Sequence, residues 1–199
     1  MAEPSGPVNG QNRVVEGLVM VDGTVAFRRG KNRTARTDGG ATQYVADQTM
    51  SWPPSTRVSQ TPTVSTTPAY TAKDAVGGLL TFASVVQSDQ KSGVLMNVTV
   101  IDASQQRPSL ELVLFDRTFT ASTDNAVFDP SDADLANCIG VVAINSWSDF
   151  NDNSIATVSG VSLPLVLNGT SLYGQLVTRG TPTFVATSDI TVIVTVLQD

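Results

Sequence analysis

The sequence predicts an all-β protein: an antiparallel β-sandwich or jelly-roll-like domain with one short helix, preceded by an extended N-terminal arm. Short runs rich in β-branched residues recur at strand length after residue 70, with turn residues between them. Charged residues make up only 15% of the chain, below the roughly 25% of an average globular protein. Six of the ten prolines lie in the first 70 residues. The chain therefore divides into an arm, residues 1–70, and a β-sandwich head, residues 71–199.

The arm is predicted to be extended, because its stretch SWPPSTRVSQTPTVSTTPAY offers little apolar surface for burial. Residues 14–27, VVEGLVMVDGTVAF, place Asp22-Gly23 between two apolar runs, which is typical of a β-hairpin. An isolated hairpin is marginally stable in water, so we expect this one to pair with another chain. The alternative is a flexible terminus in which the alternation is accidental.

A short basic run, RRGKNRTAR, follows the hairpin at residues 28–36. It has no interleaved aromatic residues and no helical spacing, so we expect a loop that faces solvent or a partner protein rather than nucleic acid. Contact with another chain is thus predicted for the hairpin and the basic run. The residues concerned are Val14, Val19, Val21, Phe27, Arg28, Arg29, Lys31, Arg33 and Arg36.

Seven apolar runs predict the strands of the head. They are LLTFASVV (79–86), VLMNVTVI (94–101), LELVLF (110–115), IGVVAIN (139–145), LPLVL (163–167), LYGQLVT (172–178) and ITVIVTVL (190–197). In the second run, residues 94, 96, 98 and 100 are apolar and are predicted to share one face, with Asn97 and Thr99 on the other. Seven to nine short strands at this spacing favour an antiparallel sandwich.

One segment, DPSDADLANCIG, departs from the β-pattern and predicts a short helix over residues 129–139. Asp129 is the predicted N-cap, with Pro130 at the first helical position. Leu135 lies three residues before Cys138 and four before Ile139, and it is expected to share a buried face with one or the other. With no histidine to activate it, Cys138 is expected to serve as a small hydrophobic residue.

Five aspartates lie close together in sequence and suggest either acid–base chemistry or a structural role: Asp116, Asp124, Asp129, Asp132 and Asp134. Three of them fall at the predicted helix start, where the helix dipole favours negative charge. A catalytic pair also needs a cleft and a neighbour that shifts one pKa, and the sequence indicates neither. We therefore expect capping and surface roles, and no enzymatic activity.

Other candidate sites are weak. DFNDNS, at residues 149–154, resembles the start of a calcium loop, but Ser154 replaces the glycine and Gly160 stands where a bidentate glutamate is needed, so only a looser calcium site remains as an alternative. Trp147 and Tyr173 are candidates for a sugar-stacking surface, although core or interface positions are commoner for such residues. One cysteine and no histidine exclude an intrachain disulfide, the usual Cys/His zinc sites and a histidine-based triad. No metal or cofactor is expected.

The charge is unevenly spread along the chain. Residues 1–70 carry seven basic and five acidic side chains, and residues 71–199 carry five basic and thirteen acidic ones. No stretch approaches the roughly 20 apolar residues of a membrane helix, and the N-terminus lacks the pattern of a signal peptide. We therefore expect no membrane partner.

Three stretches of residues 74–199 resemble a family of tailed-bacteriophage virion structural proteins. They are DAVGGLLTFASVV, LELVLFDRTFTASTDNAVFDPSDADLANCIGVVAI and ATVSGVSLPLVLNGTSLYGQLVTRGTPTFVATSDITVIVTVLQD. The resemblance covers about two thirds of the chain and leaves out the arm. It implies a small β-sandwich structural protein without enzymatic activity, and it brings no catalytic or ligand-binding residues.

Within that class we expect a capsid decoration (cement) protein, whose arm binds the major capsid protein or neighbouring copies and stabilises the shell. The more basic arm suits an acidic shell surface, and the lack of disulfides fits assembly in the reducing cytoplasm of a host bacterium before display on the virion surface. A homo-oligomer is expected, by analogy with the trimers common among decoration proteins.

Three alternatives differ in kind. The first is a tail, neck or head-fibre component whose β-domain binds a host surface glycan. The second is a minor capsid-associated protein that binds nucleic acid through residues 28–36. The third is a glycan hydrolase with carboxylates between Asp116 and Asp134.

Overall fold

The computed structural model describes four N-terminal strands by their backbone and all of residues 54–199. The N-terminal strands are β1 (Leu18–Val21), β2 (Thr24–Phe27), β3 (Arg33–Asp38) and β4 (Ala41–Ala46). The chain divides into two compact units, Met1–Trp52 and Pro53–Asp199.

In the N-terminal unit, the described strands form two antiparallel hairpins. β1 pairs with β2 so that Val21 lies opposite Thr24, which is the place where the sequence predicts a hairpin. The predicted turn, Asp22-Gly23, itself lies outside the described residues. β3 pairs with β4 so that Asp38 lies opposite Ala41. The second half of the basic run, from Arg33 onward, is therefore a strand, and the prediction of a loop is wrong there.

The second unit is a β-sandwich, which confirms the predicted all-β fold class. Its nine strands are β5 (Ser55–Gln60), β6 (Ala75–Phe82), β7 (Ser92–Asp102), β8 (Leu110–Phe115), β9 (Cys138–Ile144), β10 (Ser148–Asp149), β11 (Ser154–Val166), β12 (Leu172–Thr178) and β13 (Ile190–Gln198). A five-stranded sheet has the order β10-β11-β7-β13-β5, and a four-stranded sheet has the order β6-β12-β8-β9. Every pairing is antiparallel.

The head begins earlier than the sequence predicts. β5 pairs with β13 along six register positions, from Val192 opposite Gln60 to Leu197 opposite Ser55. Tyr70 is only 1% exposed, and its ring meets Phe184 edge to face with centroids 5.5 Å apart. The prediction of an extended arm as far as residue 70 is therefore wrong for residues 54–70. This segment has few apolar residues, but strand pairing and one buried aromatic ring are enough to hold it on the sandwich.

The main core lies between the two sheets. β7 supplies Val98 and Val100, both fully buried, while Thr99 between them is partly exposed on the outer face. The alternation does not extend to the start of β7, because the register shifts between Thr195 and Val196 of β13 and Leu95 becomes the buried residue. The prediction that residues 94 and 96 share the core face is wrong, since a bulge reverses which residues face inward.

A second, smaller core covers the outer face of the four-stranded sheet. Val113, Phe115 and Val177 on the strands meet Phe119 from the loop that follows β8. The rings of Phe115 and Phe119 stack with centroids 3.9 Å apart. β8 is therefore buried on both faces, which explains why LELVLF shows no clear alternation.

The helix is shorter than predicted and begins later. α1 covers only Asp132–Leu135, and its N-cap is Ser131, whose hydroxyl oxygen accepts the N–H of Asp134 at 3.1 Å. The prediction of Asp129 as the cap is wrong. Leu135 is 46% exposed, so the predicted buried face is also wrong. After a single turn the chain enters β9 at Cys138, which leaves no room for an i, i+3 stripe.

In the described part of the chain, no helix has the length and apolar character needed to span a membrane.

Candidate functional site

Asp124 is the aspartate with the most partners among the five that the sequence singles out. Its Oδ1 accepts hydrogen bonds from the Tyr70 hydroxyl and the Gly77 N–H, each at 2.6 Å. Its Oδ2 accepts one from the Ser65 hydroxyl at 2.5 Å. Burial and the nearby carboxylate raise the pKa of Tyr70 above its ordinary value. These four residues, the Asp124 network, tie the segment before β6 and β6 itself to the loop after β8.

The Asp124 network closes one edge of the four-stranded sheet. β6 lies at that edge, and Ala75 exchanges two backbone hydrogen bonds with the loop: its N–H donates to the Ala126 carbonyl at 2.8 Å, and its carbonyl accepts the Asn125 N–H at 2.9 Å. Two residues further on, Asp124 accepts the N–H of Gly77 and the Gln175 side chain donates to the Gly77 carbonyl at 2.9 Å. Gln175 belongs to β12 and bridges the bulge between β6 and β12, whereas Asp124 takes the place of a neighbouring strand on the outer side of β6, which is a structural role.

The three buried aspartates of the head also hold backbone groups. Asp74 accepts the N–H of Thr71 at 2.7 Å, and Asp102 accepts the N–H of Arg107 at 2.6 Å. Asp189 accepts the N–H of Val185 at 2.7 Å. In each case the carboxylate satisfies a donor in a turn within five residues, as buried polar groups usually do. Each of these carboxylates is therefore committed to its own turn.

The remaining aspartates of the sequence cluster stay on the surface or at the helix. Asp116 makes a two-fold hydrogen-bonded ion pair with Arg117, at 2.9 Å for each bond, and this pair raises the pKa of Arg117. Asp132 and Asp134 lie in the first turn of α1, where the dipole favours them. Within the described residues, no group of three or more His, Cys, Asp or Glu side chains is placed to hold a metal ion.

The calcium-like segment forms a turn in which two backbone carbonyls and the Asp149 carboxylate are engaged by protein donors. The Phe150 N–H donates to the Asn153 carbonyl at 2.8 Å. Gln105 Nε2 donates to the Phe150 carbonyl at 2.6 Å and to the Asn153 carbonyl at 3.0 Å. Asp149 Oδ2 lies 3.0 Å from Nη1 of Arg107. The turn is therefore held together by hydrogen bonds to neighbouring side chains.

The two aromatic residues considered for sugar stacking lie in different clusters. Trp147 packs against the main core and its Nε1–H donates to the Pro108 carbonyl at 3.1 Å. Tyr173 packs against the second core, as does Cys138, which is only partly buried. They are packing residues, which is the commoner role for such residues.

The predicted partner-binding residues of the arm fall partly on described strands. Val19 and Val21 lie in β1, Phe27 lies in β2, and Arg33 and Arg36 lie in β3. The others, Val14, Arg28, Arg29 and Lys31, lie outside the described residues. Their contact with another chain stays a prediction.

One side of the head, formed by β9 and β11, was not predicted from the sequence. Here β9 ends the four-stranded sheet, and β11 is covered by β10 only at Ser154 and Ile155. We call this the open side: residues 140–144 of β9 and 157–166 of β11. Neither stretch carries a charged residue, and Val141 and Val166 are 55% and 74% exposed. The uncharged stretches 135–148 and 153–178 are visible in the sequence, but only the sheet order brings them to one side.

No family model matches the chain, and no curated protein matches it either.

Proposed function

We propose that the chain is a structural protein of a tailed-phage virion, and specifically a capsid decoration protein. Its N-terminal unit binds capsid subunits or neighbouring copies, and its β-sandwich head lies on the outer surface of the shell. The protein has no catalytic role in this proposal, acts as a homo-oligomer and requires no cofactor. The resemblance of residues 74–199 to virion proteins is the starting point.

The main support for the proposal is the structural role of the carboxylates in the head. Every buried carboxylate accepts hydrogen bonds that hold a turn, and Asp124 holds a strand edge. Carboxylates committed in this way build a stable scaffold rather than an acid–base site. The exposed apolar side chains of the open side supply contact surface instead.

The distribution of charge also supports the proposal. Residues 53–199 carry thirteen acidic and six basic side chains, whereas residues 1–52 carry five acidic and six basic ones. The N-terminal unit is weakly basic whereas the head is acidic, which favours contact of the N-terminal unit with an acidic shell. Repetition over many copies would then add weak contacts together.

The first test is a copy number. Quantitative mass spectrometry of purified particles of the encoding phage, scaled to the major capsid protein, should give one copy per capsid subunit or one per few. A handful of copies per particle would move the protein to the tail, neck or fibres. Absence from the particle would refute a virion role altogether.

A second test separates the two units. A variant without residues 1–52 keeps β5 and Tyr70, and therefore all of the sandwich. It should keep the circular dichroism of a β-protein and lose binding to capsid shells. A deletion as far as residue 70 would be a poor choice, because it removes an edge strand of the head.

One observation favours the alternative of a host-surface glycan binder. The outer face of the five-stranded sheet carries a row of hydroxyls, with Thr99 and Thr157 in contact at 3.2 Å between their Oγ1 atoms, and Thr61 and Thr191 at 2.9 Å. Each hydroxyl can donate and accept hydrogen bonds, as contacts with the hydroxyls of a sugar require. Binding of the head to host-cell surface polysaccharide, lost in Thr157→Lys, would support this alternative over the decoration protein.

A further inference from the structure

We infer that two copies of the chain pair through β9, antiparallel across a two-fold axis, so that two four-stranded sheets join into one of eight strands. The pairing rests on the geometry of the head and does not depend on the proposed virion role.

The first step is the unmet hydrogen bonding of β9. On one side β9 pairs with β8, from Cys138 opposite Phe115 to Ile144 opposite Leu110. On its other side, none of the strands described in the structure pairs with it. Alternate residues of a strand direct their N–H and C=O groups to opposite sides. β9 therefore presents a row of backbone donors and acceptors, which is a template for another strand.

The second step is that each of the other long edge strands of the head carries at least one protective feature. The start of β6 is closed by the loop around Asp124. β5 carries an exposed Arg57 in its middle and lies between Pro54 and Pro62. β11 has a bulge between Ser159 and Leu163. Charges, prolines and bulges are the usual means of preventing strand addition.

β9, with the sequence CIGVVAI, has no charge and no proline, and its only bulge lies at one end, between Cys138 and Gly140. Val141 is 55% exposed although it lies opposite the buried Val113. An apolar, uncharged edge of this kind is rarely left in solvent, because it would pair indiscriminately.

A second copy of the chain fits this edge better than a charged partner does. The head has thirteen acidic against six basic residues, so two heads repel each other over most of their surface. Residues 135–148 carry no charge, so copies can approach there with the least repulsion. An antiparallel strand pair about a two-fold axis is also self-complementary in its hydrogen bonds, as an isologous contact requires.

The side chains agree with this pairing. Val141 and Ala143 lie on the outer face of the four-stranded sheet and are both exposed, whereas Val142 and Ile144 between and after them are buried. About the two-fold axis, they would meet the same small apolar residues of the other copy. Cross-strand pairs of β-branched and small residues pack well on a pleated surface.

The test uses the full chain and a charge placed in the edge. Val141→Lys should lower the association constant measured by sedimentation equilibrium by at least about 100-fold, because the pairing would bury two like charges near one axis. The matched control is Val185→Lys, which changes a valine that is 77% exposed, in the segment before β13, and should associate like the wild type. Circular dichroism and thermal unfolding show whether each variant is folded.

A second measurement needs no variant. Amide hydrogen exchange of the wild type should show protection of residues 140–144 that increases with protein concentration, while the amides of β7 stay equally protected at all concentrations. This comparison decides the question even if Val141→Lys fails to fold.

Several outcomes would overturn the inference. One is a wild-type chain that stays monomeric at its highest soluble concentration. Another is an oligomer of any symmetry that Val141→Lys leaves intact, or one that Val185→Lys disrupts equally. Exchange in residues 140–144 that is independent of concentration would also overturn it. Loss of association on deletion of residues 1–52, with Val141→Lys unaffected, would assign the contact to the N-terminal unit instead.

Discussion

The two edge strands of the four-stranded sheet, β6 and β9, differ in whether their outward backbone groups have hydrogen-bond partners. At β6, the loop after β8 supplies backbone partners to Ala75, and Asp124 accepts the N–H of Gly77. At β9, no such partner lies among the described residues and the side chains are apolar. The chain thus contains a closed edge and an open edge on one sheet. The difference shows that a carboxylate can satisfy the free backbone N–H of an edge strand and so prevent another strand from adding there. An edge strand without such a partner is a site for association.

The largest effect is expected from removal of the carboxylate that closes β6. Asp124→Ala leaves the Gly77 N–H and two hydroxyls without their acceptor, and should lower the free energy of unfolding by about 3 kcal/mol or more. Urea unfolding of the purified chain measures this. Asp116→Ala, which removes only a surface ion pair with Arg117, is the control and should cost less than about 1 kcal/mol. Equal costs for the two variants would mean that Asp124 does not close the edge.

A second large effect is expected at Gly77 itself. Its φ is +72°, and a Cβ there would lie 2.3 Å from the Cβ of Pro62. Gly77→Ala should therefore cost about 2–3 kcal/mol, because the clash adds to the strain of a left-handed backbone. Gly160 has a similar φ of +67° with open space around it, so Gly160→Ala isolates the backbone strain and should cost about 1 kcal/mol. If Gly160→Ala costs as much, the contact with Pro62 is not what makes the position demanding.

A smaller effect is expected from Tyr70→Phe, which keeps the packing against Phe184 but removes the hydroxyl. The hydroxyl donates to Asp124 and accepts the Ser65 N–H at 2.8 Å. Its loss should cost about 1–2 kcal/mol in unfolding at neutral pH.

The same residue predicts a pH dependence at the alkaline end. The folded-state pKa of Tyr70 is raised, above its ordinary value of 10.0 in the unfolded chain, first by burial and then by Asp124. The unfolded chain therefore loses this proton first, and the contribution is complete below pH 10 and decreases as the pH rises further. Stability of the wild type should fall more steeply above pH 10 than that of Tyr70→Phe, by up to about 1.4 kcal/mol per pH unit. Parallel curves for the two proteins would contradict the assignment.

The smallest effect concerns the chain just before the open edge. Ser131→Ala removes the N-cap of α1 and should cost about 1 kcal/mol. Asp129→Ala should change the stability by less than about 0.5 kcal/mol, because its side chain caps nothing. Thermal unfolding of the pair distinguishes the two candidate caps. A larger loss in Asp129→Ala would restore the helix start that the sequence alone suggests.

Much of the head follows from local pattern. The runs that predict strands coincide with β7, β8, β9, β12 and β13 to within a few residues, because alternation and β-branched residues act over the length of one strand. The start of the helix was predicted at the wrong residue. Asp129-Pro130 and Ser131 are both good helix starts, and the capping bond of Ser131 to Asp134 is a contact that only the folded turn distinguishes.

The candidate sites were harder to predict than the strands. The five aspartates are close in sequence, yet in the fold Asp124 accepts a hydrogen bond from Gly77 of β6, whereas Asp116 pairs with Arg117. The second hairpin, β3–β4, was missed, although Asp38-Gly39-Gly40 is a turn sequence of the same kind as Asp22-Gly23. The open side could not be found from sequence, because β9 and β11 lie in different sheets.

The sequence by itself determined the all-β class, the positions of most strands in the head and the absence of histidine chemistry, since these depend on composition and on spacing within about ten residues. The tertiary structure alone decided that residues 54–70 belong to the head, that Asp124 ends a sheet and that β9 does not have such an end. The physical reason is range. The hydroxyl of Tyr70 and the carboxylate of Asp124 are 54 residues apart in the chain, and their hydrogen bond exists only once both segments are folded against β6.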